Sequence, residues 1–243
     1  MKKRIVLLII LIISYFISIY VVNIFNSNKK IVFLGNYTKI YIGNKIKIID
    51  DNYKINNKKI KIYFNNEMKD AYLKSIKNDL FNNYIVYNDL GENLTYANDL
   101  IATTRNVNIS IIEPVKDTIN KTEFDKMFDE LEVNKNKVDY DSLEKYAIDL
   151  NKDGTNEYII FYNVNESEEK IHQYIMLKDN NDYEQIIDTE INPLQYDSVG
   201  SSLFKFIDID NDGVYEIVLS RSNGDLLPSS YDIYSYNGVV SKL

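Results

Sequence analysis

Hydrophobic positions fall into one long run near the start of the chain and many short ones after it. Residues 5–25 are almost wholly apolar and carry no charged side chain. A helix needs about 20 such residues to cross the hydrocarbon core, so the run predicts a transmembrane span. Beyond it, Ile31–Leu34 reads as a short strand. Lys39–Ile42 and Lys45–Ile49 alternate polar and apolar residues on either side of Gly43-Asn44, a two-residue hairpin signal. Lys59–Phe64 continues the alternation. From Asn66 to Asn82, Met68, Tyr72, Ile76 and Leu80 recur every fourth residue beside Leu73 and Phe81, which predicts a helix. Val107–Ile112 predicts a strand ended by Pro114. Phe124, Met127, Phe128 and Leu131 predict a helix capped by Thr122, with Asp125 completing a weak capping box. Asn134–Lys137 reads as a linker.

The distal part repeats one arrangement. Asp149-Leu-Asn151-Lys-Asp153-Gly154-Thr155-Asn-Glu157 and Asp208-Ile-Asp210-Asn-Asp212-Gly213-Val214-Tyr-Glu216 share the pattern D-x-(N/D)-x-D-G-x-x-E. Each runs into an apolar strand, Tyr158–Tyr162 or Ile217–Leu219, and each is followed by hairpin segments. The first hairpin is Ile171–Leu177 with Tyr183–Ile187, and the second is Tyr231–Tyr236 with Val239–Leu243 across Asn237-Gly238. Ser202–Ile207 leads into the second loop. This repetition predicts two equivalent β units. The tyrosines among these strands fit half-buried strand positions better than a contact surface.

Charge makes the loops chemically distinctive. The second packs Asp208, Asp210, Asp212 and Glu216 into nine residues with no basic one among them. Such like charges repel, and a hard divalent cation relieves the conflict. Calcium takes about six to eight oxygen ligands from carboxylates, carbonyls and water. Positions 1, 3 and 5 can turn inward together, and the following glycine permits a sharp turn. Position 7, Thr155 or Val214, need offer only its backbone carbonyl. The alternative is an Asx-rich turn without metal, since Asp, Asn and Gly favour turns anyway.

An EF-hand would need a carboxylate at position 12, where this chain has Ile160 and Leu219. With its last carboxylate at position 9, the pattern instead resembles the FG-GAP or VCBS-type calcium loops of integrin α-subunit propellers and many bacterial surface proteins. The resemblance covers the loops and flanking strands within 141–243. It implies two calcium sites, with side-chain ligands Asp149, Asn151, Asp153 and Glu157, then Asp208, Asp210, Asp212 and Glu216. It also implies propeller-blade-like antiparallel units. Those families usually close the loop with Asp, so the longer Glu157 and Glu216 leave their ligand role open. Two units cannot close a propeller, which takes about four to eight blades. They are expected to pack as a small sandwich.

The expected fold is therefore mainly β with a few helices. Residues 1–27 form a cytoplasmic tip and anchor, 31–140 a membrane-proximal α+β region, and 141–243 the calcium-loop β-repeat region. Lys2, Lys3 and Arg4 hold the N terminus inside by the positive-inside rule. This makes a single-pass plasma-membrane protein whose bulk is extracytoplasmic, where calcium is plentiful. A net charge of −8 argues against a nucleic-acid partner. Absence of cysteine excludes disulfides and thiol chemistry. The one histidine, His172, has no accompanying nucleophile motif. A non-catalytic surface module binding a protein or cell-wall polymer is the expected function. Alternatives are an envelope-acting hydrolase, an accessory to one, or a purely structural or sensor ectodomain.

Overall fold

The computed structural model describes residues 30–34, 37–42, 45–48, 58–64, 67–75, 84–88, 90–93, 101–104, 109–194, 200–221 and 230–243. The apolar run 5–25 and the basic residues before it lie outside these. Among the described residues no helix is long and apolar enough to cross a membrane. The protein is mainly β, and the described residues divide into two compact units.

The first unit is a seven-stranded sheet. Its strands are β1 (Lys30–Leu34), β2 (Tyr37–Ile42), β3 (Lys45–Ile48), β4 (Lys58–Phe64), β5 (Glu67–Ser75), β6 (Tyr84–Asn88) and β7 (Ile101–Thr104). They lie in the order β3-β2-β1-β7-β4-β5-β6. Strands β2 and β3 pair antiparallel in the expected register, Ile42 opposite Lys45. Ile60, Ile62, Ala71, Ile101 and Ala102 are buried.

The helix expected over 66–82 is replaced, where described, by strand β5. Residues four apart share a face in a strand as well as in a helix, so the spacing of Met68 and Tyr72 fits both. Cross-strand pairing decides: Phe64 lies opposite Glu67 and Ile60 opposite Ala71, so β4 and β5 run antiparallel side by side. Met68 and Tyr72 end on an exposed face, and Ala71 between them is buried.

The second unit begins upstream of the repeat region, taking in β8 (Ser110–Ile112) and helix α1 (Lys121–Glu130). Strands β9 (Val138–Ile148), β10 (Glu157–Ser167), β11 (Lys170–Asp179) and β12 (Asp182–Ile191) form an antiparallel meander. A second meander follows from β13 (Ser201–Asp208), β14 (Glu216–Arg221), β15 (Ser230–Tyr236) and β16 (Val240–Lys242). Strand β8 adds to its edge, pairing Ile112 with Phe206. Residues 134–137, expected as linker, include a 3-10 turn, Lys135–Lys137, that leads directly into β9. The cap of α1 is Asn120 rather than Thr122: its side chain accepts the Thr122 backbone N–H at 3.0 Å.

Two cores hold this unit. Ile148, Leu150, Ile159, Phe161, Ile175 and Leu177 from the first meander join Phe206, Ile217, Leu219, Tyr234 and Tyr236 from the second. The two sheets thus share one apolar interior, as in a sandwich. On the other face of the first meander, Phe124, Met127 and Phe128 of α1 pack with Ile160, Tyr162, Val164 and Met176. Strand β10 is apolar on both faces because each face meets a different layer. The tyrosines Tyr162, Tyr231, Tyr234 and Tyr236 are all buried. Gln173 clamps the start of the second meander, accepting the Ser201 N–H at 2.6 Å and donating to its carbonyl at 3.0 Å.

Candidate metal centre

Each acidic loop joins two adjacent strands of its meander, β9 to β10 and β13 to β14. The loops fold alike. Position 4 takes a left-handed conformation in both, at Lys152 (φ 59°) and Asn211 (φ 62°). Position 6 does so at Gly154 (φ 90°) and Gly213 (φ 96°), a conformation that suits glycine.

Side-chain oxygens then collect the loop amides. In the first loop, Asp149 accepts the N–H groups of Asp153 at 3.0 Å and Gly154 at 2.9 Å. Asn151 also accepts from Asp153, and its amide donates to Asp153 Oδ2 at 3.1 Å. Asp153 Oδ1 takes the Thr155 N–H at 2.8 Å, which holds its carboxyl below the usual range. In the second loop, Asp208 Oδ2 accepts from Gly213 at 3.2 Å, Asp210 from Asp212 at 3.2 Å, and Asp212 from Val214 at 2.8 Å.

Glu157 and Glu216 do something the pattern did not reveal. Each reaches back across its loop, so that Oε2 accepts the position-2 backbone N–H, from Leu150 at 2.7 Å and from Ile209 at 2.8 Å. Both carboxyls are buried. Burial, together with the nearby Asp210 and Asp212, pushes the Glu216 carboxyl up to about 8. Burial also raises Glu157. The glutamates brace the loops from within, and the extra methylene of Glu gives them that reach.

These hydrogen bonds are those of an Asx-rich turn and need no ion. Asp208 departs from that picture. Its side chain is 2% exposed. Its Oδ1 is buried without a hydrogen-bond partner. Asp208, Asp210 and Asp212 each offer a carboxylate oxygen, and these lie within 4.8 Å of one another. A buried carboxylate oxygen left unpaired is costly, and a cation bound among the three carboxylates satisfies it. The cluster can therefore hold a metal ion, and its all-oxygen donor set suits hard cations such as calcium, magnesium or manganese.

The first loop is more self-contained. Its aspartates are engaged by loop amides and by Asn151, which brings a donor where the second loop has the carboxylate Asp210. The loops also touch each other: the Tyr215 N–H donates to the Leu150 carbonyl at 2.8 Å. The Lys152 ammonium lies 3.5 Å from Asp208 Oδ2 and 4.6 Å from the centre of the Tyr215 ring. Spacing along the chain gives no sign of this contact, because Lys152 and Asp208 are 56 residues apart.

His172 sits away from the loops, paired with Asp188 at 2.8 Å and stacked near Tyr174. No family model, curated protein or solved structure matches this chain. The likeness to FG-GAP or VCBS loops accordingly rests on the two loops and their flanking strands.

Proposed function

We propose that this protein is a membrane-anchored, extracytoplasmic, non-catalytic binding module whose β-repeat region is stabilised by calcium. The buried, unpartnered Oδ1 of Asp208 within its carboxylate cluster carries the reading. Asp208, Asp210 and Asp212, with the Val214 carbonyl, form the principal site. Asp149, Asn151 and Asp153, with the Thr155 carbonyl, form a weaker one. Glu157 and Glu216 position the loop backbones and are not needed as direct ligands. The two meanders act as paired blade-like units of FG-GAP or VCBS type. The apolar run 5–25 tethers them outside the cell, where calcium fills sites with dissociation constants of about 10⁻⁴–10⁻³ M. The partner is a protein or a wall polymer.

Calorimetric titration of the full chain in detergent tests this. Calcium is expected to bind in two events, the tighter lost in Asp212→Ala and kept in Asp153→Ala, because charge count tunes affinity. Magnesium is expected to bind more weakly, since it sheds its water reluctantly. Tighter residual binding in Asp212→Ala than in Asp153→Ala would overturn the ranking, and no binding in the wild type would overturn the site.

A further inference from the structure

The second loop carries no basic residue of its own, yet a cation already stands beside its most buried carboxylate. That cation is Lys152, contributed by the first loop. Its left-handed backbone (φ 59°) and the Tyr215 ring beneath its ammonium direct it toward Asp208. The Tyr215 N–H to Leu150 carbonyl bond holds the loops in that register. The contact runs one way: the equivalent position of the second loop is the neutral Asn211, so the first loop receives no matching cation.

We propose that Lys152 is the affinity-setting residue of the second metal site, a tethered counter-ion that steadies Asp208 before the metal enters and opposes it afterwards. The proposal rests on the metal reading above. Lys152 contacts Oδ2 and leaves Oδ1 open. A divalent ion on Oδ1 therefore meets a like charge on the far oxygen of the same carboxylate. An outward swing of the ammonium relieves that repulsion, and its 45% exposed side chain permits the swing. The arrangement lowers affinity and also links the loops, because the same lysine sits over the Tyr215 ring of the second loop.

The test compares the full chain with Lys152→Met and Lys152→Arg, using calcium chloride as the probe. Methionine keeps the length and the apolar contact with Tyr215, and arginine keeps the charge. Lys152→Met is expected to bind calcium about five- to tenfold more tightly at the tighter site, a modest gain because solvent screens a half-exposed ammonium. Lys152→Arg should stay near wild type. Thermal melting supplies a second readout: Lys152→Met should widen the gap between calcium and chelator, partly by weakening the chelated form. Unchanged affinity in Lys152→Met, with the wild type binding normally, would overturn the role of Lys152 alone. A wild type that takes up no calcium in the same titration would overturn the metal site, and the lysine's role with it.

Discussion

Asn in place of Asp208 is expected to abolish the calcium response of the second loop while leaving the chelated protein almost as stable as the wild type, or more so. The two halves of this outcome have one cause. Asp208 is 2% exposed and its Oδ1 has no hydrogen-bond partner. In chelator that oxygen is a buried charge, eased only through its fellow Oδ2, which has Lys152 at 3.5 Å and the Gly213 N–H at 3.2 Å. Removing the charge removes the penalty, and an amide oxygen can still accept the Gly213 N–H that Oδ2 takes now. The chelated variant should therefore lie within about 1 kcal/mol of the wild type, or above it. In calcium the ranking reverses. A ligand that binds only the folded form at a hundredfold excess over Kd adds about 2.7 kcal/mol. For a protein of this size that is roughly 5–10 °C in Tm. Melting curves of both proteins in each buffer check it. A variant that gained as much from calcium as the wild type would remove Asp208 from the site.

A core substitution sets the contrasting scale. Phe128→Ala is expected to destabilise the protein by about 3–5 kcal/mol, lowering Tm by roughly 6–20 °C. Phe128 is fully buried. Its ring meets Tyr162 edge-on at 5.1 Å and Tyr140 at 6.1 Å, so truncation opens a cavity between α1 and the first meander. Tyr140 is tied to the same helix, donating to Asp125 at 2.6 Å, so its own relaxation into the space is restricted. The loss should be nearly equal in calcium and chelator, because the helix packs on the sheet face rather than on the loops. A loss that vanished in calcium would mean that the helix and the metal site are coupled. Denaturant unfolding in both buffers separates these outcomes.

Much of the second unit could be read from residue patterns, and the reasons are specific. The hairpin segments around Asn237-Gly238 and between Leu177 and Tyr183 formed because period-2 alternation and turn residues point the same way. The loops were legible because backbone conformation is written into Gly154 and Gly213. The segment with Met68 and Tyr72 misled because a four-residue spacing is common to a helix face and a strand face. The pairing partner that decides it, β4, is not visible in the segment itself. The turn-prone dipeptide Asn65-Asn66 between two short runs is the available signal in the sequence. A capping box from Thr122 to Asp125 points to Thr122 as the cap of α1, yet Asn120, two residues earlier, supplies the accepting oxygen.

Within the site, sequence spacing identified Asp208, Asp210 and Asp212 but could not assign burial. Spacing leaves the ligand role of Glu157 and Glu216 open; in the structure Oε2 of each takes a backbone N–H across the loop. The position of Lys152 was beyond spacing altogether. Lys152 and Asp208 are 56 residues apart and meet only because the two meanders share a core.

The most direct measurement is the melting temperature of the full-length protein in millimolar calcium against the same protein in chelator, followed across a calcium titration. The account predicts a saturable rise of several degrees in the wild type, with the larger part gone in Asp208→Asn. Identical melting in calcium and chelator at every concentration would contradict it, leaving the carboxylates of the second loop as an Asx-rich turn with one unpaired buried oxygen.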